Sequence, residues 1–326
     1  MQLCAECGND LVAFSGSVDE QQCPLATFLV RALMFPTFPY DVSLCNFDLP
    51  FFASGVSNAV ATSVPFHATP AFDTATHGLT LAETYSAIAT KTRQRMRAMQ
   101  ATELTVAKDY CARTSTNGKF ELTGEAWQIH SSGKPIAELR LVKIDGAKSN
   151  IINAWIFPAQ PTHAPVFAAE LIGVNDVTRV AFIDIQTPAA DPLIRQRVQH
   201  KTKPIAERFA MLPCDEAAPT WATCDSAGYF TYSRGAGQAE TDRISECYFG
   251  YLDCYLNECL GDARADAALP SVLDRSHEQA VARLAAYQLH HMEHSPGKKF
   301  LGNLFGHEWT HEFMTNFLFA KLETQG

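Results

Sequence analysis

The residues His307-Glu308-Trp309-Thr310-His311 fit the pattern H-E-x-x-H, in which two histidines bind zinc and the glutamate acts as a general base. Two histidines at this spacing share one face of a helix. A catalytic zinc also needs a third protein ligand, and the acidic residues that follow His311 are Glu312 and Glu323 alone. A five-residue pattern with two free positions arises easily by chance, so we predict no metal at this position.

Two other groups of residues have types suited to chemistry. His290, His291 and His294 form a local cluster, which favours proton donation or substrate contact over metal binding. Cys4 and Cys7 form a C-x-x-C pattern, but no second C-x-x-C follows it. Because a closed zinc site needs four ligands, we predict no zinc site there either.

The composition excludes several classes of protein. The 326 residues are 47% hydrophobic and 19% charged, which is enough apolar material for a large core and excludes a disordered or collagen-like chain. The net charge of −9 argues against a uniformly basic nucleic-acid binder. The sequence has no apolar run of about eighteen residues, so we expect no membrane-spanning helix. The start of the chain lacks the basic residues of a signal peptide, so we expect the ten cysteines to be reduced.

The chain divides into two parts by composition and periodicity. Residues 1–75 carry seven acidic residues and one basic residue, Arg31, and show no clean periodicity. We therefore interpret 1–75 as an irregular acidic extension and 76–326 as the folded domain.

Alternating apolar and polar residues predict a run of strands in the middle of the domain. The predicted strands are 119–131, 135–145, 150–157, 165–174, 177–186 and 227–233. The first five are joined by short turns, which implies antiparallel pairing because parallel neighbours need a long crossover. Residues at helical spacing predict helices at 81–104, 193–210, 240–260, 275–292 and 307–322. The predicted fold class is α/β, a three-layer α/β/α sandwich with a central antiparallel sheet.

Several segments of this domain, in order and spacing, resemble the ferredoxin-dependent bilin reductase family, which is related to the red chlorophyll catabolite reductases. The resemblance covers about 81–326. The segments that carry it are Ile151–Pro158, Pro165–Gly173, Val180–Ile185, Trp221, Tyr229–Arg234, Tyr251–Leu256 and Lys298–Phe319. The last of these segments contains the H-E-x-x-H pattern. The resemblance implies that this pattern belongs to the family's Phe-Gly-x-x-Trp helix and that its histidines are incidental.

The resemblance implies a fold and a reaction. Proteins of this family are α/β/α sandwiches that bind an open-chain tetrapyrrole between the sheet and the C-terminal helices, with no bound flavin or metal. Electrons arrive one at a time from reduced 2Fe-2S ferredoxin, and the protein supplies protons to substrate radicals. We therefore expect a phytobilin-forming reductase of biliverdin or dihydrobiliverdin, with ferredoxin as its partner.

The resemblance also implies which residues act. Glu170 lies where bilin reductases usually place a catalytic Asp and where red chlorophyll catabolite reductases place a Glu. Asn153 lies where some members have His and others Asn, and Arg234 lies at a position that pairs with a substrate propionate. Considered alone, Glu170 could equally be a salt-bridged strand residue, and Asn153 could cap a turn.

One position departs from the family pattern. The family often has a second acid just before the C-terminal Phe-Gly helix, and alignment on Phe305-Gly306 places Ser295 there. A serine is a poor acid at neutral pH, so either Glu170 and water carry the proton transfers, or His291, Glu293 or His294 substitutes, or the activity is altered. We interpret Ser295, His291 and His294 as substrate-binding, and Glu170 and Asn153 as catalytic.

Two alternatives to the bilin reductase remain open. Glu170 favours an enzyme similar to red chlorophyll catabolite reductase, and the missing second acid leaves room for a non-catalytic bilin-binding protein. An acidic ferredoxin needs a basic rim on its partner, which 91–97, 195–208 and Lys298–Lys299 could provide. We expect a monomer that binds neither nucleic acid nor membrane, located in the cytoplasm, or in the plastid stroma if the source is a photosynthetic eukaryote.

Overall fold

The structure is a computed structural model, and it describes residues 78–131, 133–159, 164–188, 192–214, 216–260 and 274–320. The prediction of an irregular extension at 1–75 lies outside the described residues.

The centre of the domain is an antiparallel sheet whose strands follow one another along the chain. The strands are β1 (Thr102–Leu104), β2 (Ala112–Thr114), β3 (Phe120–Ser131), β4 (Lys134–Gly146), β5 (Ser149–Pro158), β6 (Val166–Val174), β7 (Val177–Gln186) and β8 (Thr231–Ser233). The spatial order is β1-β3-β4-β5-β6-β7-β8, with β2 also paired to β3. The predicted meander is confirmed because each pair from β3 to β7 is antiparallel and joined by a short connection.

Helices cover this sheet. They are α1 (Leu81–Ala98), α2 (Lys108–Cys111), α3 (Pro192–Arg208), α4 (Thr220–Thr223), α5 (Gln238–Cys254), α6 (Asp274–His294), α7 (Pro296–Phe305) and α8 (His307–Phe313). Short π-helical turns continue α5 over Tyr255–Cys259 and α8 over Met314–Leu318. Among the described helices, none combines the length and the apolar character needed to cross a membrane.

One predicted helix boundary is wrong, and one helix of more than a single turn was not predicted. The helix predicted at 81–104 ends at Ala98, because Gln100 takes a positive φ of 56° that an α-helix cannot continue. Residues Thr102–Leu104 then pair with β3 as strand β1. The helix α7 was not predicted at all, although its N-cap serine and its proline at the first position are a helix start signal.

The first layer, α1 and α5, packs on one face of the sheet and forms the main core. Ile152, Ala154 and Leu171 point into this core and are fully buried. The two helices are joined by Arg95, whose wholly buried guanidinium donates to both carboxylate oxygens of Asp253 at 2.6 and 2.9 Å. Such a bidentate pair fixes the two helices relative to each other.

The second layer consists of the C-terminal helices α6 to α8, which cover the opposite face. The layer lies close to the sheet at Gly124. A Cβ atom added to Gly124 would lie 2.4 Å from the carbonyl oxygen of Tyr110, which is a clash, and 3.1 Å from the ring of Phe317. Arg140, on β4, donates hydrogen bonds to the carbonyls of Phe317 and Ala320. The predicted three-layer α/β/α sandwich is therefore confirmed, and side chains alternate between its two faces.

Candidate active site

Asn153 and Glu170 lie side by side on the sheet face that the C-terminal helices cover. They are direct partners in the β5–β6 pair, and Val142 and Phe182 flank them on β4 and β7. Direct cross-strand partners have Cβ atoms about 4.5–5.5 Å apart. The two residues assigned to catalysis from the sequence are thus brought together, and they point in the same direction.

The environment of Glu170 favours its protonated form. The residue is partly buried, and among the described residues no hydrogen bond or ion pair holds its carboxyl group. Burial raises the pKa of Glu170 to about 7, because the charged form loses its hydration. No salt bridge with a described residue holds this side chain, so the alternative of a salt-bridged strand residue does not describe it.

Ser295 lies at the start of α7, beside Glu170. Its Oγ accepts a hydrogen bond from the backbone N–H of Gly297 at 3.1 Å and so caps the helix. A Cβ atom added to Gly297 would lie 3.0 Å from this Oγ and 3.8 Å from Oε1 of Glu170. The structure therefore brings the serine that replaces the family's second acid close to Glu170, but it gives that serine a structural task.

The next row of the same face contains a buried acid, Asp184, to which no function was assigned from the sequence. Trp155, Ala168 and Asp184 are neighbours across β5, β6 and β7. Asp184 is completely buried, and neither carboxylate oxygen has a hydrogen-bond partner of normal geometry. Burial raises the pKa of Asp184 to about 7, and the nearby Ser226 and Arg195 offset only part of the effect.

His291 projects from α6 into the same layer. Its ring lies 5.0 Å from the ring of Trp155 and 4.4 Å from that of Tyr287, and both ring nitrogens are buried without a partner. Burial lowers the pKa of His291 to about 3, with a further contribution from His290 and His294. The ring is therefore neutral at pH 7, so it can form hydrogen bonds to a substrate but carries no extra proton.

His294 is not part of this buried group. It is exposed at the end of α6, where its Nδ1 lies 2.9 Å from the carbonyl oxygen of His290. The two rings stack at 4.4 Å. A substrate contact by His294 stays a prediction.

Arg234 follows β8 and is engaged by another residue. Its guanidinium forms an ion pair with the carboxylate of Glu216, and its side chain is only 11% exposed. A propionate would have to share or displace Glu216 to reach this cation. The assignment of Arg234 to a propionate stays a prediction, with Glu216 as a competitor that the sequence did not indicate.

The H-E-x-x-H residues lie on the surface. His307, Glu308 and His311 are all exposed, and the His307 ring packs against Gly302. Within the described ranges, no three side chains of His, Cys, Asp or Glu are grouped as metal ligands would be.

Buried polar atoms without partners are concentrated on the face that holds Glu170. Native proteins leave few such atoms, because each one costs free energy comparable to a lost hydrogen bond. The atoms concerned, on this face or in the helices that cover it, are Asn153 Oδ1, Trp155 Nε1, both oxygens of Asp184, both nitrogens of His291, Trp309 Nε1 and Thr310 Oγ1. A ligand with both hydrogen-bond donors and acceptors would satisfy groups of this kind.

The sequence carried a signal for Asp184 that was not used. Val177–Gln186 is an apolar strand, and Asp184 is its only carboxylate. An acid at a buried strand position needs a partner, a proton or a function.

An antiparallel sheet lies between two helical layers, and two acids with raised pKa values lie on the face that the C-terminal helices cover. This chain belongs to the ferredoxin-dependent bilin reductase family, whose model matches residues 89–320. The resemblance inferred from the sequence is thereby confirmed.

Individual relatives and a solved structure support this assignment. The chain is 23% identical over 230 residues to 15,16-dihydrobiliverdin:ferredoxin oxidoreductase of Gloeobacter violaceus, covering 68% of this chain and 87% of the relative. It is 27% identical over 177 residues to phycoerythrobilin:ferredoxin oxidoreductase of Prochlorococcus marinus, covering 53% and 67%. The crystal structure of tomato phytochromobilin synthase in complex with biliverdin shares the fold, with a TM-score of 0.59, 14% identity and coverage of 74% and 85%.

Proposed function

We propose that this protein reduces a carbon–carbon double bond of an open-chain tetrapyrrole, biliverdin or a dihydrobiliverdin, to form a phytobilin. Reduced ferredoxin is the external electron donor, as the family implies, and we propose that the chain itself holds no redox cofactor. The observation that carries the proposal is the pairing of Asn153 with a Glu170 that is protonated near neutral pH.

Glu170 supplies a proton to the substrate. A tetrapyrrole that has accepted one electron becomes more basic, and a carboxylic acid with a pKa of about 7 is well matched to protonate it. Reduction of one double bond consumes two electrons and two protons. Two reduced ferredoxins supply the electrons in succession, and the protein supplies the protons.

The other assigned residues hold the substrate. Asn153 presents an unpartnered Oδ1 that can accept a hydrogen bond from a pyrrole N–H. His291 offers neutral ring nitrogens to the same ligand, while Ser295 and His294 would contact it near the ends of α7 and α6. Arg234 would bind a propionate in competition with Glu216.

The basic stretches proposed for ferredoxin docking do not contribute equally. On α1, Arg93 forms an ion pair with Glu125, and Arg95 is completely buried against Asp253. The charge of α1 that faces solvent is therefore smaller than the sequence suggests. We propose that docking relies more on Lys298–Lys299, which follow Gly297 in the first turn of α7, where Gly297 lies close to Glu170.

The experiment is an anaerobic absorption titration with biliverdin and with 15,16-dihydrobiliverdin, followed by reduced plant-type ferredoxin. We expect a shifted absorption spectrum on binding and new bands on reduction, with the product identified by chromatography. A stable complex that is never reduced would indicate a bilin-binding protein or another substrate. If neither bilin binds, the proposal is wrong, and the red chlorophyll catabolite becomes the next substrate to test.

A further inference from the structure

Asp184 is a buried acid that the proposed function has not yet used. Its side chain lies on the same sheet face as Glu170, and it is inaccessible to solvent. Neither of its oxygens makes a hydrogen bond of normal geometry, and Ser226, Gln186 and the backbone of Ile185, which lie near it, offset only part of the effect of burial on its pKa. Structural carboxylates in protein interiors are paired or hydrogen-bonded, so this one needs another explanation.

The absence of a strong partner favours the neutral carboxylic acid. A buried carboxylate without a cation in contact is costly, and the group avoids that cost by keeping its proton. Burial raises the pKa of Asp184 to about 7, which agrees with a carboxylic acid that keeps its proton. Asp184 therefore holds a proton that it can donate.

The position of Asp184 relative to Glu170 fits a shared substrate. Glu170 pairs with Phe182, and Asp184 is two residues further along β7 on the same face. Such diagonal neighbours lie about 7–8 Å apart, a distance that side chains can bridge through a ligand. Ala168 is the direct cross-strand partner of Asp184, so only a methyl group stands beside the carboxyl group on β6.

Other side chains of this face are poorly suited to the same task. Ser295 caps α7 and is a weak acid, and His291 is already neutral. Tyr287 donates its hydroxyl to Gln186, and burial raises its pKa well above the usual value. Asp184 is thus the best remaining acid beside Glu170 on the part of this face that the structure describes.

The charge that remains after donation is also accommodated. Arg195, on α3, donates a hydrogen bond to the carbonyl of Ser226 at 2.9 Å, and its positive charge lowers the pKa of Asp184. Arg195 therefore stabilises the Asp184 carboxylate by its charge. The two residues form no ion pair that would keep Asp184 permanently ionised.

We infer that Asp184 is a second proton donor of the reaction and takes the place of the acid that the family often has at the position of Ser295. This inference rests on the proposed function. In the balanced step, two reduced ferredoxins are oxidised and each gives one electron to the tetrapyrrole. Glu170 and Asp184 each give one proton, one double bond becomes a single bond with two new bonds to hydrogen, and both carboxylates then regain protons from water.

The test compares Asp184→Asn with the wild-type protein and with Asp176→Asn. Asparagine keeps the shape of the side chain but has no acidic proton. Asp176 lies in the exposed β6–β7 turn at a φ of 60°, which asparagine tolerates, so Asp176→Asn is a matched control outside the site. Each protein is titrated with biliverdin and 15,16-dihydrobiliverdin and then reduced anaerobically by ferredoxin, while radicals are followed by electron paramagnetic resonance.

We expect Asp184→Asn to bind the bilin and accept the first electron normally. Product formation should fall by about 100-fold or more, with a radical that persists, because loss of a proton donor typically costs this much. The control variant should keep the wild-type rate. An infrared carbonyl band of a protonated carboxylic acid should be present in the wild-type protein and missing from Asp184→Asn, a readout that does not depend on turnover.

The failures of the two proposals are distinguishable. If the wild-type protein reduces neither bilin, the proposed function is wrong and this inference is wrong with it. If the wild-type protein turns over and Asp184→Asn stays within about threefold of it, only the role of Asp184 is refuted. Asp184→Asn could also fail to fold or to bind the bilin. In that case the infrared spectrum of the wild-type protein decides, and absence of the carboxylic acid band would refute the role of Asp184.

Discussion

Asn153 and Glu170 are direct cross-strand partners at the centre of the sheet, so an amide and a carboxyl group whose pKa is raised to about 7 by burial lie side by side on one face. Rigid strands hold such a pair more accurately than loops do. In the proposed reaction the amide orients the substrate while the acid protonates it, and Oδ1 of Asn153 has no hydrogen-bond partner among the described residues.

Glu170→Gln removes the acid and keeps the shape of the side chain. We expect bilin binding to be retained and turnover to fall by about 100-fold or more, because a general acid contributes at least that factor. A substrate radical should accumulate. Stopped-flow absorption and paramagnetic resonance under ferredoxin reduction measure both effects.

The control for this prediction is Glu121→Gln, a change of the same kind on the exposed end of β3, where Glu121 accepts a hydrogen bond from Thr114. It should leave turnover unchanged. Wild-type turnover in Glu170→Gln would contradict the role assigned to Glu170.

The rate should depend on pH with a defined sign. Burial raises the pKa values of Glu170 and Asp184 to about 7, and both groups donate only when protonated. The rate of proton transfer to the bound substrate should therefore fall as the pH rises above about 7. Single-turnover reduction measured between about pH 6 and pH 9 tests this, and a rate that is constant over that range would contradict it.

Stability should change with pH in the same direction. Since the pKa of Asp184 is higher in the folded protein than in the unfolded chain, its contribution is fully present below the unfolded value, near 3.9, and is lost as the pH rises through about 7. Asp184→Asn should remove this loss and raise the free energy of unfolding at pH 8 by an amount on the order of a few kcal/mol. Denaturant unfolding at pH 5 and pH 8 measures the difference, and a variant less stable than the wild type at pH 8 would contradict the neutral-acid interpretation.

Asn153→Leu should separate stability from function. The unpartnered Oδ1 costs free energy in the ligand-free protein, so an apolar side chain of similar size should leave the free energy of unfolding unchanged or increase it by about 1 kcal/mol. The same change removes a hydrogen bond to the substrate and should weaken bilin binding by about 10-fold. Thermal unfolding and absorption titration of one preparation test both effects, and tighter bilin binding would refute the contact.

The five long strands β3 to β7 were predictable from the sequence, whereas β1 and β2 were not, and β8 is shorter than the strand predicted at 227–233. The use of the charged residues was not predictable either. Alternation identified β3 to β7 to within two residues at each end, because one face of the sheet is core and the other faces the site. Arg95 was grouped with a solvated basic stretch, whereas it is buried against Asp253 from a helix 158 positions away. Such long-range pairing, like the isolation of Asp184, depends on tertiary packing that no local pattern reports.

The Arg95–Asp253 pair should stabilise the fold and have no direct part in the reaction. Arg95→Ala leaves the Asp253 carboxylate without its partner and opens a space against Phe249, over which the guanidinium lies at 3.9 Å. Removing one member of a fully buried pair costs roughly 3–5 kcal/mol, and because the Asp253 side chain is 34% exposed, we expect a loss of about 2–4 kcal/mol here. Lys203→Ala, which breaks the exposed pair with Glu207, should cost less than about 1 kcal/mol. Denaturant unfolding compares them, and equal losses would show that Arg95 is not held as described.

The ion pair between Arg234 and Glu216 yields the most specific prediction about substrate binding. If Arg234 binds a propionate, Glu216 competes with the substrate for the same cation. Glu216→Gln should then tighten binding of biliverdin by about 5- to 10-fold, while Arg234→Gln should weaken it by a similar factor. Biliverdin dimethyl ester, which lacks the carboxylates, should bind the wild type and both variants alike. Absorption titrations with the acid and the ester complete the test, and an equal response of the two ligands to Glu216→Gln would place Arg234 away from the propionates.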